Sequence, residues 1–97
     1  MNIVAEFKIT ESFTITGRGL VILGDILSGT VDYGDVLTFN HNSEKHHLNI
    51  ADINFAKKKD AFPDPIGLSF TYSNEDERMF YSSLKILPQI AVVTTSP

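Results

Sequence analysis

Residues 2 to 10 alternate. Ile3, Ala5, Phe7 and Ile9 fall on one face and Val4, Glu6, Lys8 and Thr10 on the other, the period of a half-buried β-strand. Glu11-Ser12 interrupts the strand and shifts its phase, after which Phe13 and Ile15 are expected to continue the apolar face opposite Thr14 and Thr16. Leu20 to Leu27 is nearly all apolar, broken by Gly24 and Asp25. It predicts a central strand in which Gly24 permits a bend or a close backbone approach. Val36 to Phe39 and Leu48 to Phe55 read as further strands, the second changing phase after Ala51-Asp52 so that Ile53 and Phe55 follow Leu48 and Ile50. The polar stretch Asn40 to His47 between them predicts a hairpin loop.

Lys57 to Pro65 reads as a polar loop in which Pro63 and Pro65 remove ladder donors. Ile66 to Tyr72 is the next predicted strand, with Ile66, Leu68, Phe70 and Tyr72 on one face. Ser73 to Arg78 suits about one helical turn, too short to be stable alone. Leu84 to Leu87 predicts a short final strand ended by Pro88, and Ile90 to Thr94 a strand-like tail with no assigned neighbour. An open edge of that kind invites pairing, so a homo-oligomer is an expectation too. No stretch of ten or more residues carries a helical period. Short strands at this spacing, separated by turn signals, predict an all-β fold: a closed or nearly closed Greek-key barrel of about six strands in one domain, residues 1–97.

Composition narrows the function classes. The 97 residues are 42% hydrophobic with a net charge of −4, an ordinary soluble composition that argues against broad nucleic-acid affinity, since phosphate neutralisation favours basic proteins. Lys57-Lys58-Lys59 is a local basic patch, read either as a solvated turn or as a phosphate site. The chain has no cysteine, hence no disulfide framework and no thiolate zinc site, and a cytoplasmic location is expected. Met1 to Glu6 lacks a basic n-region and is not expected to act as a secretory signal. The longest apolar run, Leu20 to Leu23, falls far short of the ~20 residues a membrane helix needs, so no membrane partner is expected.

Five of the six glycines stand between residues 17 and 34. The stretch Phe13, Ile15, Gly17-Arg18-Gly19, Val21, Gly24, Ile26, Gly29, Val31 and Gly34-Asp35 resembles the second domain of the translational GTPases, the β-barrel that follows the G domain in elongation factor Tu and its relatives. Ile50 and Ile53, Ile66-Gly67-Leu68 and Leu84 to Pro88 resemble later parts of that pattern more loosely. The resemblance implies the barrel fold, here without a G domain, and a translation-related RNA or ribosome partner. No G-x-x-x-x-G-K-[ST] loop is present, so GTP binding is not expected. In elongation factor Tu this barrel helps hold the aminoacyl end of tRNA. Glu11 and Phe13 match that pocket, whereas Thr10 replaces its first acid and Pro65 stands where it has asparagine, so that ligand is not carried over. Phe80-Tyr81-Ser82-Ser83 replaces the glycine that usually precedes the family's last strand.

Other constellations are weaker. His41, His46 and His47 lie near Glu44, but adjacent His46 and His47 point to opposite faces of an extended chain, and a polar loop rather than a metal site is expected. Ser82 and Ser83 sit in no nucleophile elbow. No cofactor and no catalytic residues are expected, and a small enzyme of unknown reaction is the minor alternative. The leading expectation is a non-enzymatic interaction module for a protein or peptide. Its candidate contacts are Glu11, Phe13, Arg18, Lys57, Lys58, Lys59, Phe80 and Tyr81. Arg18 lying along the barrel and pairing with a carboxylate is the favoured reading of that residue, and Phe80-Tyr81 could equally plug the barrel.

Overall fold

In a computed structural model, which describes residues 2–55 and 65–95, the chain forms an antiparallel barrel. Its elements are β1 (Ile3–Ile15), β2 (Gly19–Gly29), β3 (Val36–His41), β4 (Glu44–Phe55), β5 (Ile66–Thr71), α1 (Glu75–Ser82) and β6 (Gln89–Thr94). The strand order around the closed barrel is β1-β2-β5-β4-β3-β6. Strands β3, β4 and β5 follow one another as neighbours, and β6 returns to lie beside β3. This is the Greek-key order expected from the sequence.

The barrel interior is the core. Phe7, Ile9, Leu20, Ile22, Leu37, Ile50, Leu68 and Val93 are fully buried there, drawn from all six strands. Closure requires strands to bend, and bulges supply the bends. In β1, Ile9 pairs with Gly24 but Glu11 with Leu23, leaving Thr10 as the extra residue. In β4, Ile50 pairs with Phe70 and Asp52 with Ser69, leaving Ala51 as the extra one. At Gly24 the backbones of β1 and β2 come too close for a side chain: a Cβ there would lie 1.9 Å from the Lys8 carbonyl oxygen, and one at Gly29 as close to that of Val4. The sequence reading of Gly24 as a close-approach position is met.

Several expectations need correction. Residues 40 to 47 are not a loop: β3 runs through His41 and β4 starts at Glu44, joined by Asn42-Ser43 with φ of 51° and 66°. Two consecutive positive φ values make the tight turn that matches strand twist. The strands here are polar because they project to the barrel rim, where little is buried. Leu84 to Leu87 is not a strand either. It runs irregularly into the barrel end and buries Ile86. The tail read as unpaired is β6, which fills the gap between β1 and β3, so the open edge that suggested self-association does not exist.

The one-turn expectation at residues 73–78 grows into the eight-residue α1. Asn74 caps it, its side chain accepting from the Glu77 N–H at 2.8 Å. Glu75, Asp76 and Glu77 place negative charge in the first turn, where the helix dipole favours it. The helix and the segment after it close one barrel end. Ser12 Oγ accepts from the Ile86 N–H at 2.9 Å, and Thr14 donates to the Ser82 carbonyl at 2.7 Å. These contacts settle the faces of β1: Ser12 and Thr14 point at the plug, so Phe13 and Ile15 point outward. The expectation that Phe13 and Ile15 continue the inner face is overturned by the extra residue at Thr10.

Candidate partner-binding groove

The outward turn of Phe13 and Ile15 builds a site. Phe13 pairs with Val21, and Glu11 with Leu23, across the β1–β2 ladder. Val21 and Leu23 therefore share the outer face with Phe13 and lie outside the interior cluster. They are nevertheless only 9% and 5% exposed, while Phe13 and Ile15 are 44% and 37% exposed. This is the geometry of walls over a floor. On the far side, β5 contributes Gly67, opposite Leu23. A Cβ on Gly67 would lie 3.2 Å from Leu23 Cδ2, so the absent side chain keeps that part of the floor open. The resulting groove has a volume of about 220 Å³.

The β1–β2 turn supplies the charged group. Gly17 has φ of 84°, which an L side chain resists, and the Arg18 N–H donates to the Ile15 carbonyl at 2.9 Å. The tight return places Arg18 on the groove, with Asn54 and Ser69 as further polar lining. Among the described residues no carboxylate forms an ion pair with Arg18.

The other sequence candidates separate. Glu11 lines a neighbouring cavity of about 440 Å³ between β1 and the plug, together with Phe13, Lys85 and Ile86. Phe80 and Tyr81 belong to the plugged end and part company there. Tyr81 turns inward, its hydroxyl 3.1 Å from His46 Nδ1 and its ring edge-on to Phe39 and His46. Phe80 stays 51% exposed. Of the two readings of this pair, Tyr81 is plug and Phe80 is surface. Lys57, Lys58 and Lys59 lie outside the described residues.

His46 and His47 take opposite faces of β4, as expected, while the His41 ring stays 6.3 Å from that of His46. His47 faces away from the core and its Nδ1 lies 2.8 Å from Thr38 Oγ1, whereas His46 packs into the aromatic plug. Among the described residues no group of three His, Asp or Glu is placed to hold a metal ion. Burial in the plug raises the phenol pKa of Tyr72 above its ordinary value of 10.0, although the Leu20 N–H bonded to its oxygen pulls the other way. Burial likewise raises Tyr81, with the nearby Glu77 carboxylate adding to it.

Sequence reasoning found Phe13 and Arg18 but missed Ile15, Val21, Leu23 and Gly67. One signal was available. The run Leu20 to Leu23 is apolar at every position, so β2 presents apolar side chains on both faces. A strand in a small barrel has only one face on the core, so the other must be covered or must bind something.

Among the described residues no helix is long and apolar enough to cross a membrane. Comparisons with protein-family models, with curated proteins and with solved structures gave no match. The resemblance to the second domain of the translational GTPases thus rests on the residue pattern alone.

Proposed function

We propose that the protein is a non-enzymatic interaction module that binds a protein or peptide partner through the outward groove on β1, β2 and β5. One observation carries this reading. Apolar side chains of β1 stand outside a barrel whose core is already filled, and they wall a concave apolar floor. Concave apolar sites edged by a few polar groups are the usual form of binding sites. A barrel of the translation-factor type would suit such a role without a catalytic group, because fold alone assigns no chemistry.

Selection from a displayed peptide library against the intact protein tests the reading, with Ile15→Asp as the counter-target. Enriched sequences that lose binding to I15D are the expected result. Enrichment that ignores I15D, or none at all, would remove the groove as the site.

A second reading has one supporting observation, the exposed Arg18 beside a surface that could stack a base. It makes the protein an RNA- or ribosome-associated module using Arg18 with Lys57, Lys58 and Lys59. Co-sedimentation with ribosomes should then weaken steeply with salt as phosphate contacts are screened. Binding that is indifferent to salt would end that reading.

A further inference from the structure

Resting on the groove reading, we infer that the preferred partner is the carboxyl-terminal end of a polypeptide whose last residue is apolar, with Arg18 holding the terminal carboxylate. Size sets the first limit. A cavity of about 150 Å³ lined by aliphatic side chains takes a benzene ring. The groove's volume of about 220 Å³ therefore suits one branched or aromatic side chain and little more.

Charge sets the second limit. Among the described residues Arg18 is the charged one on the groove lining, and no described carboxylate engages its guanidinium. A guanidinium fork matches a carboxylate through two parallel hydrogen bonds, and those bonds strengthen beside an apolar floor. Asn54 and Ser69 line the same groove and offer partners for a peptide amide.

Geometry then decides between a terminal carboxylate and an acidic side chain. Arg18 and the Val21–Leu23 floor border one small cavity, so the ligand must present its carboxylate and its apolar group together. In an extended peptide, neighbouring side chains point to opposite faces, and those two positions apart are roughly 7 Å distant. An internal Asp or Glu beside a Leu or Phe therefore fits poorly. A terminal residue carries its side chain and its carboxylate on one Cα and meets both limits at once. Capture of a terminal carboxylate is an established mode of peptide recognition.

The test uses N-terminally labelled Gly-Ser-Gly-Ser-Leu-Phe as free acid and as C-terminal amide, read by fluorescence anisotropy. The free acid is expected to bind at least about tenfold more tightly than the amide, the effect of one lost charge-assisted pair. R18A should bring the acid down to the amide's affinity and leave the amide unchanged. I15D should abolish both. Arg18 sits on an exposed turn, so R18A is expected to fold, and its circular dichroism should match the parent protein.

Equal binding of acid and amide, or R18A without effect, overturns the carboxylate inference and leaves the groove reading in place. So does the failure of both peptides when the display selection still yields Ile15-dependent binders without an apolar terminus. Displacement of the labelled acid by a single-stranded oligonucleotide, dependent on Arg18, would overturn it in favour of RNA. Self-association that blocks the peptide and is lost in I15D would overturn it in favour of a second copy. With no Ile15-dependent binder of any kind, both readings fall.

Discussion

Strand β1 carries an extra residue at Thr10 and β4 one at Ala51, yet the residues that follow meet opposite fates. In β4 the apolar pattern shifts with the bulge: Leu48 and Ile50 are buried before it, and Ile53 still packs on the core after it. In β1 the apolar positions keep their parity through the bulge. Ala5, Phe7 and Ile9 point inward, then Phe13 and Ile15 point outward while Ser12 and Thr14 take the inner face. A bulge moves every later side chain to the other face. Where the pattern compensates, the bulge serves the barrel alone. Where it does not, hydroxyls face the plug and two large apolar groups are left on the outer face.

The sharpest break of this contrast is at the glycine beside the first bulge. Gly24→Ala puts a methyl 1.9 Å from the Lys8 carbonyl oxygen, and neither that methyl nor the backbone oxygen can rotate away. The strands must separate or the register must slip. A loss of roughly 3 kcal/mol or more is expected in urea unfolding, at the upper end of overpacking costs. A variant within about 1 kcal/mol of the parent would show that β1 and β2 are not locked here.

The comparison itself is tested by truncating an apolar residue beyond each bulge. Ile53→Ala should cost about 1–3 kcal/mol, because Ile53 packs on the core. Ile15→Ala should cost under about 1 kcal/mol and should instead weaken partner binding. Similar stability losses at the two sites would mean that Ile15 is structural and that the groove is ordinary packing.

Much of the barrel is readable from the chain, and each misreading has its own physical origin. The bulge at Ala51 is visible because the apolar residues change phase across it. The bulge at Thr10 shows only as the polar pair Glu11-Ser12, and Phe13 and Ile15 then look like a return to the inner face. Nothing local says that Ser12 and Thr14 will be wanted inside, since their partners Ile86 and Ser82 are about seventy residues away. The strand ends around Asn42-Ser43 read as a loop because rim residues are solvated and carry no alternation. Leu84 to Leu87 reads as a strand because three of its four residues are apolar, although Ile86 is fully buried, Leu84 only packs partly against the core and Leu87 is exposed. Arg18 and Phe13 are legible as candidates through a turn and a pattern. The floor they share, Val21, Leu23 and Gly67, depends on which strands become neighbours, and a linear pattern does not state that.

Ser12→Ala probes the inner side of the same bulge. It removes the acceptor of the Ile86 N–H, a partly buried pairing, and should cost about 1–2 kcal/mol. Groove binding should survive, because Phe13 and Ile15 keep their face. Loss of binding together with stability would show that the plug and the groove are one cooperative unit rather than the two faces of one strand.

The smallest expected effect comes from the plug that Ser12 and Thr14 hold. Burial raises the Tyr72 and Tyr81 phenols, so the folded state keeps these protons more tightly than the unfolded chain does. Stability from this source is therefore whole below pH 10 and is lost as pH rises through the folded-state values. Urea midpoints should be flat up to that point and then fall, and the phenolate absorbance should contain a late-rising component. Tyr72→Phe should remove part of that component and soften the alkaline fall. It should also cost about 1 kcal/mol at neutral pH, since the Leu20 N–H loses its hydroxyl acceptor. Peptide binding at the groove should follow this fall only where unfolding itself sets in, because neither phenol lines it. A binding loss that precedes unfolding would tie the plug chemistry to the outer face. Strand β1 would then be a lever between its two sides rather than a wall separating them.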